Sequence, residues 1–241
     1  MNTFAENYDA RILDASIRSM YGGDYYNVGD WSCERETLAQ ACAALADRHI
    51  GHLQPESGDR IADIGCGLGA SANRLAQAHP AIDVVGANIS HAQLTYARTR
   101  YPSVDFCMMN ASALAIANQS LNGILSIEAA FHFPSRMDFL REAHRALKPG
   151  GRMVYSDILF NDIEPLGDWW VPEGASKTSC AEYASMCVQA GFDVLLIDDI
   201  ADITWHPFCR FLGSHIDDAD YADRLSRSAD AYLLLVLEKS N

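Results

Sequence analysis

The chain of 241 residues is 49% hydrophobic and carries a formal net charge of −14. This length and composition suffice for one α/β domain with a full core, and an acidic surface without a Lys/Arg cluster excludes nucleic acid and anionic lipid as expected partners. Because no apolar run approaches the roughly 18 residues of a membrane span and the N-terminus is acidic and mixed, we expect a cytoplasmic protein. The cysteines and histidines are scattered without metal-ligand spacing, so we expect reduced, mostly buried thiols and no metal site.

The first 57 residues have the spacing of amphipathic helices, and one face of the clearest helix carries Leu38, Cys42, Leu45, His49 and Leu53. After Pro55 and Gly58, short apolar runs alternate with helical stretches. Strands are predicted at 60–64, 82–86, 104–108, 121–127, 151–157 and 193–197, and helices near 70–78, 90–99, 134–147 and 178–190. Such alternation is typical of βαβ units and predicts an α/β fold with a doubly wound, mostly parallel sheet.

The last apolar run, AYLLLVLEK, has no helix after it and is expected to close the sheet as an antiparallel strand. The segment KPGG at 148–151 is interpreted as a helix stop and a turn before the fifth strand. Two further segments, 158–176 and 199–230, fall outside the alternation and are expected to cover the mouth of a pocket. We therefore expect a single domain over 1–241, with its core at 58–198.

A glycine-rich loop, in the stretch ADIGCGLGAS, follows the first predicted strand. Such a loop lets the backbone approach a ligand at the carboxyl ends of the strands. The stretch loosely satisfies the dinucleotide fingerprint, so an NAD-binding oxidoreductase is one alternative. However, Asp63 at the end of the strand repels a pyrophosphate and attracts an ammonium group, the second strand ends in Asn88 instead of an acid, and the first strand comes late in the chain. These features favour a ligand with a cationic head.

Five stretches carry, in order, a resemblance to a known family: RIADIGCGLGAS, VVGANISHAQL, MNASALAIANQSLNGILSIEAAFHF, REAHRALKPGGRMVYSDIL and AEYASMCVQAGFDV. They resemble the motifs of class I S-adenosylmethionine-dependent methyltransferases, most closely the small-molecule branch with sugar and natural-product O-methyltransferases and the tocopherol and ubiquinone-pathway enzymes. The resemblance covers roughly residues 20–198. It implies a Rossmann-like seven-stranded sheet with a last antiparallel strand, an N-terminal helical lid at 1–57 and S-adenosylmethionine as the cofactor.

The resemblance also implies which residues hold the cofactor. Its methionine part is expected to contact Asp63, Gly65, Cys66, Gly67, Gly69, Ile127 and Glu128. Asn88 and Gln93 are expected near the ribose, Ile89 against the adenine, and Asn110 with Ala111 at the adenine amino group. Asn88 and Asn110 stand where relatives commonly carry an acid, and helix capping is the alternative role of both.

Two residues are candidates for proton transfer. In the family, a histidine in an E-x-x-x-H position and an acid after the fifth strand face the acceptor, and the matching residues here are His132 and Asp157. The resemblance implies His132 as general base and Asp157 as its orienting partner or a second base. In the alternatives, His132 binds substrate without taking a proton or packs between Phe131 and Phe133, and Asp157 caps a helix or loop.

Aromatic residues are concentrated near the N-terminus and in the two segments outside the alternation. In the lid, the candidates for a cation–π contact with the sulfonium are Tyr21, Tyr25, Tyr26 and Trp31, with Tyr25 taken as a cofactor contact. In the other two segments, the aromatic residues that predict an apolar or aromatic acceptor are Trp169, Trp170, Trp205, Phe208 and Phe211.

Together these features predict methyl transfer to a small molecule, in the first place to a hydroxyl of an apolar or aromatic secondary metabolite. C- or N-methyl transfer is a close alternative, because the motifs describe the cofactor and barely constrain the nucleophile. A protein of this fold that binds the cofactor without transferring methyl, such as a cyclase, is a third. The sequence leaves open a homodimer formed through the N-terminal helices.

Overall fold

A seven-stranded sheet forms the centre of the molecule, which a computed structural model describes for residues 3–167, 171 and 178–240, with the backbone alone for 3–7. The strands are β1 Arg60–Ile64, β2 Asp83–Asn88, β3 Asp105–Met108, β4 Leu121–Ser126, β5 Leu147–Phe160, β6 Phe192–Asp199 and β7 Ala229–Lys239. Their order is β3-β2-β1-β4-β5-β7-β6. Strands β1 to β5 pair in parallel, and β7 is antiparallel to both of its neighbours. The predicted mostly parallel sheet with an antiparallel last strand is confirmed.

Helices cover both faces of the sheet: α1 Thr3–Ile12, α2 Ala15–Tyr21, α3 Leu38–Leu53, α4 Ala70–Ala78, α5 His91–Arg100, α6 Arg136–Ala146, α7 Cys180–Gln189, α8 Trp205–Ile216 and α9 Ala219–Ser226. Side chains alternate along each strand. Ile61 and Val154 therefore join a core with α3, α4, α5 and α8, whereas Ala62 and Tyr155 join a second core with α6 and α7. None of the helices in the described ranges combines the length and apolarity needed to cross a membrane.

Local capping explains where the central helices begin. Thr37 closes a capping box before α3, and Ser90, Ser135 and Ser179 accept from backbone N–H groups at the starts of α5, α6 and α7. Helix α4 differs, since it begins after Gly69 with no side-chain cap. Apart from the Ala72 N–H, which donates to Asp63, the N–H groups of its first turn are therefore available to a ligand at the end of β1.

Strand β5 is longer than predicted and takes in both the KPGG segment and the first three residues of the segment at 158–176. Leu147 pairs with Leu121 of β4, and the register shifts directly afterwards. Gly150 has a φ of +74° within this irregular stretch. The predicted turn ahead of the fifth strand is wrong, because pairing with β4 begins before the glycines.

The N-terminal segment divides into two structural parts. Helix α3 packs against the sheet and buries Cys42, Leu45 and Leu53. A hydrogen bond of 3.2 Å from the Arg152 guanidinium of β5 to the His52 carbonyl also ties α3 to the sheet. The residues of this segment that line the cavity described below come from α1 and the loop after α2.

Candidate active site

A cavity of about 360 Å³ lies at the carboxyl ends of β1, β2 and β4, where the strand order reverses between β1 and β4. Most of the predicted site residues line it: Tyr25, Asp63, Gly65, Cys66, Gly67, Asn88, Ile89, Gln93, Asn110, Ala111, Ile127, Glu128 and His132. Of the predicted residues, Gly69 and Asp157 are not part of the described wall of this cavity. The fold thus gathers residues that are far apart in the chain into one ligand-sized space.

Gly67 and Gly69 both have the left-handed backbone, with φ of +53° and +89°, but they serve different purposes. A Cβ added at Gly67 would meet nothing within 4 Å, so the backbone there lies open to a ligand in the cavity. A Cβ added at Gly69 would lie 2.7 Å from the Phe106 ring. Gly69, which was expected to contact the cofactor, leaves room for the Phe106 ring of β3 at the start of α4.

Asp63 is a buried carboxylate with unused hydrogen-bonding capacity. It is 1% exposed, and among the described residues its Oδ2 has no hydrogen-bond partner. Burial raises the pKa of Asp63 to about 7, against the opposing effect of a hydrogen bond from the Ala72 N–H. An ammonium group in the cavity would supply the missing donor and the compensating charge. This corner therefore fits S-adenosylmethionine, whose amino-acid end carries such a group.

Asn88 is held in one orientation at the end of β2. Its Nδ2 donates to the Gly67 carbonyl at 3.3 Å and to Gln93 Oε1 at 2.9 Å. Its Oδ1 accepts from the Ser90 N–H at 3.2 Å, but Ser90 and not Asn88 caps α5, so the capping alternative does not apply. A carbonyl oxygen has two lone pairs, and Asn88 therefore keeps an acceptor for a ligand hydroxyl.

The far end of the cavity is apolar. Ile89 lines it and is 43% exposed, and Met109 and the buried Ala111 complete this part of the wall. Asn110 Oδ1 accepts from the Ser112 N–H at 2.9 Å in a turn, which leaves one lone pair for a ligand amino group. The capping alternative does not apply, because no helix begins in the described stretch between β3 and β4. An open isoleucine beside an amide acceptor suits a flat ring with an exocyclic amine.

Asp24 fastens the loop after α2 to the side of the cavity. It is 8% exposed and accepts hydrogen bonds of 2.7–3.1 Å from the side chains of Arg18, Tyr96, Arg100 and Tyr101. Burial alone would raise the pKa of Asp24, but these hydrogen bonds, led by the one from Tyr96, hold it below its ordinary value. Three of the donors belong to α5 or follow it directly, so the loop is joined to the cofactor side of the sheet.

The aromatic residues of the N-terminal segment fall into two groups, those that line the cavity and those that pack elsewhere. Tyr25 and Tyr26 line the cavity. Tyr21 is 3% exposed and packs in the core, and the Trp31 ring lies 5.5 Å from the Phe211 ring. The candidates for a cation–π contact therefore narrow to Tyr25 and Tyr26.

Glu128 joins the cavity wall to the lid and to the sheet. Its φ of +52° is rare for a residue with a side chain and marks local backbone strain. Its Oε1 accepts from the Val28 N–H at 2.9 Å and from the Tyr232 hydroxyl at 2.8 Å, and its own N–H donates to Ser156 Oγ at 3.1 Å. Burial raises the pKa of Glu128 to about 7. Besides lining the cavity, Glu128 therefore holds the loop after α2 against the end of β4.

His132 ends a short 3-10 helix, Ala130–His132, that follows β4. Its half-buried ring lines the cavity and lies 4.8 Å from the Tyr8 ring and 4.2 Å from the Phe131 ring. The expected alternative of packing between Phe131 and Phe133 is thus replaced by packing between Phe131 and a tyrosine of α1. An imidazole in this position can take a proton from a hydroxyl group in the cavity.

Asp157 lies on the opposite face of the sheet from Ser156 and Glu128. It is fully buried, and its Oδ2 accepts from Arg136 Nε at 2.5 Å and from the Tyr183 hydroxyl at 2.6 Å. The expected role of Asp157 as partner of His132 or as a second base is therefore corrected. Because side chains alternate along β5, this carboxylate points towards α6 and α7.

The aromatic residues of the segment 199–230 contribute mainly to the core. Trp205 and Phe208 are 0% and 1% exposed, and Phe211 is half-buried beside Trp31. This segment consists largely of α8 and α9. Trp169 and Trp170, expected at the acceptor pocket, lie outside the described residues.

Among the cavity residues that sequence reasoning missed are Tyr8, Asp24 and Phe133. Tyr8 precedes the glycine loop by more than fifty residues and reaches the cavity only because α1 folds back over the sheet edge. The stretch YGGDYY indicated a lid, but no local pattern distinguished its Asp24 among the 32 Asp and Glu residues of the chain.

Comparison with known proteins identifies the family. Residues 62–155 match the family described as "Methyltransferase domain". The chain is 34% identical to 27-O-demethylrifamycin SV methyltransferase of Amycolatopsis mediterranei (strain S699), over 94% of this chain and 90% of that protein. It is 25% identical to erythromycin 3''-O-methyltransferase of Saccharopolyspora erythraea, over 85% of this chain and 74% of that protein.

Solved structures share the fold at lower identity. The cyclase SpnF has a TM-score of 0.78 and 23% identity, with 98% of this chain and 95% of that chain covered. Geranyl diphosphate C-methyltransferase of Streptomyces coelicolor A3(2), crystallised with S-adenosyl-L-homocysteine, has a TM-score of 0.76 and 17% identity, with 98% of both chains covered. Together with the glycine loop, the buried Asp63 and the histidine after β4, these similarities show that the chain belongs to the class I S-adenosylmethionine-dependent methyltransferases, in the branch that acts on small molecules.

Proposed function

We propose that the protein methylates a hydroxyl group of an apolar or aromatic secondary metabolite, with His132 as general base. The observation that carries this proposal is that the His132 imidazole lies in the wall of the same cavity as the glycine loop and Asp63. Tyr8, Tyr26 and Phe133 give that wall aromatic surface, which suits an apolar acceptor. The relatives named as O-methyltransferases support oxygen as the acceptor atom.

The residues of the cavity divide the work of binding. Asp63 holds the ammonium group of the cofactor, Asn88 and Gln93 hold the ribose, and Asn110 accepts from the adenine amino group. Tyr25 and Tyr26 in the lid exclude water from the reacting groups. These contacts fix the position in which an acceptor must lie for reaction.

Proton transfer is the chemical step assigned to the chain itself. S-adenosylmethionine supplies a sulfonium methyl group that is already activated towards a nucleophile. With the cofactor bound, the acceptor oxygen would form the new bond to this methyl carbon, the electron pair of the broken bond would stay on sulfur, and His132 would take the hydroxyl proton. Asp157 takes no part in this step, because Arg136 and Tyr183 occupy its carboxylate on the other face of the sheet.

The same cavity also suits C- or N-methyl transfer, because the residues that hold the cofactor do not select the nucleophile. The likeness to a C-methyltransferase and to a cyclase is a likeness of fold. The exclusion of nucleic acid is supported by the net charge of −14, and the cytoplasmic location stays a prediction. A homodimer through the N-terminal helices stays a prediction, which light scattering of the purified protein would test.

The test uses purified protein, S-adenosylmethionine with an isotope-labelled methyl group, and panels of phenolic, glycoside and polyketide acceptors. Mass spectrometry detects the added methyl group, and the chemical shift of the label distinguishes O-, N- and C-methyl products. His132→Gln should lower turnover about a hundredfold or more while it leaves affinity for S-adenosylhomocysteine nearly unchanged. The matched control is His215→Gln, on the exposed end of α8. A labelled carbon or nitrogen, or full activity of His132→Gln, would refute the proposal.

A further inference from the structure

Asp9 in the lid helix α1 makes a polar contact with the proposed ribose subsite. Its Oδ1 accepts from Gln93 Nε2 at 2.7 Å and from Ser90 Oγ at 2.6 Å. Gln93 and Ser90 are both 2% exposed and both line the cavity. A carboxylate from the N-terminal segment therefore completes a buried polar network at the start of α5.

The network determines the orientation of two side-chain amides in series. An ionised carboxylate can only accept hydrogen bonds, so Gln93 must turn its Nε2 towards Asp9. Gln93 Oε1 then faces Asn88, and Asn88 must turn its Nδ2 towards Gln93, at 2.9 Å. This arrangement leaves Asn88 Oδ1 as the atom presented to a ligand. Without the carboxylate, Gln93 could rotate by half a turn, and two NH₂ groups would compete at the contact with Asn88.

We propose that Asp9 is a positioning residue for cofactor binding, which acts through Gln93 to keep Asn88 Oδ1 as the acceptor of a ribose hydroxyl. The inference rests on the proposed contact of Asn88 with the ribose. Because Asp9 belongs to α1, the position of the lid and recognition of the ribose are coupled, and each favours the other. Strand β2 ends without a carboxylate, and Asp9 of α1 supplies one that acts on Asn88 through Gln93.

The experiment compares two ligands by isothermal titration of the full-length protein: S-adenosylhomocysteine and its analogue without either ribose hydroxyl. Asp9→Asn keeps the size of the side chain but allows Gln93 to rotate. We expect it to weaken the affinity for S-adenosylhomocysteine about fivefold, which is the effect of one hydrogen bond, and to leave the affinity for the analogue unchanged. In a Gln93→Leu background, Asp9→Asn should have no further effect on either ligand.

The matched control is Asp14→Asn, because Asp14 caps α2 through its side chain and asparagine caps equally well. It should leave both affinities unchanged. If Asp9→Asn weakened the affinity for both ligands equally, the inference would be overturned, since Asp9 would then only hold α1 in place. If Asn88→Ala failed to reduce the preference for the ligand with hydroxyls, the ribose contact of Asn88 itself would be refuted. If Asn88→Ala reduced that preference and Asp9→Asn did not, the role of Asp9 alone would be refuted.

Discussion

Replacement of Asp63 by asparagine should stabilise the free protein and weaken its binding of the cofactor. Asp63 is 1% exposed, and among the described residues its Oδ2 has no partner. Burial raises its pKa from the ordinary 3.8 to about 7. Asparagine has nearly the same shape and can still accept from the Ala72 N–H, but it brings no charge into the core.

The rise in pKa sets the size of the effect on stability. It corresponds to about 4 kcal/mol for holding this carboxylate ionised in the folded state. The unfolded carboxyl loses its proton near pH 3.8 and the folded one near 7, so the folded state binds more protons in between. The free energy of unfolding of the wild type therefore falls as the pH rises through this window. A part of the fall remains in Asp63→Asn, because burial raises the pKa of Glu128 from 4.5 to about 7 in the same direction.

Urea denaturation of the ligand-free protein between about pH 4.5 and 8 measures this change. We expect Asp63→Asn to exceed the wild type by about 2–4 kcal/mol at about pH 8 and to approach it at the acidic end. The matched control, Asp105→Asn, lies exposed at the start of β3 and should keep the wild-type slope. A full wild-type slope in Asp63→Asn would refute the reasoning.

Affinity should change in the opposite direction. At about pH 8, Asp63→Asn should bind S-adenosylhomocysteine at least about tenfold more weakly, because an amide lacks the charge that attracts an ammonium group. Wild-type binding should also weaken as the pH falls through about 7, since protonation of Asp63 removes the same charge. Isothermal titration at several pH values checks both statements. Equal affinities of the two proteins at about pH 8 would show that Asp63 does not hold the ammonium group.

Four further substitutions separate binding from stability. Gly67→Ala places a methyl group in open space beside the cavity, so titration should show at least a tenfold loss of S-adenosylhomocysteine affinity, and the left-handed backbone adds a stability cost of about 1 kcal/mol. Gly69→Ala should lower the free energy of unfolding by about 2–3 kcal/mol through overpacking. Asp157→Ala removes the buried partner of Arg136 and should cost about 3–5 kcal/mol in urea denaturation, and an unchanged midpoint would contradict this structural role. Asp24→Asn weakens the contacts of the loop after α2 and should speed proteolysis of the N-terminal segment. An unchanged proteolysis rate would show that other contacts hold the loop in place.

The sheet and most of the cofactor wall could be predicted from local patterns. The spacing of apolar residues along a segment indicates whether it is a strand or a helix and which face is buried. Alternating strands and helices therefore indicate βαβ units without knowledge of their partners. The glycine loop and Asp63 could be placed together with Asn88 because the carboxyl ends of parallel strands meet at one edge. The KPGG segment ends α6 as predicted, but it lies within β5 as an irregular stretch, because Leu147 already pairs with Leu121 of β4.

The sequence by itself determined the class of fold through its periodicity and indicated the edge of the sheet that binds a ligand through a short contiguous motif, whereas the cofactor followed from the resemblance to a known family. Only the tertiary structure decided which side chains act together there. Asp157 faces Arg136 because of its parity along β5, and a shift of one residue would have turned it to the other face. Asp9 meets Gln93 across 84 positions of the chain, a contact that depends on how the lid folds back and that no local pattern encodes.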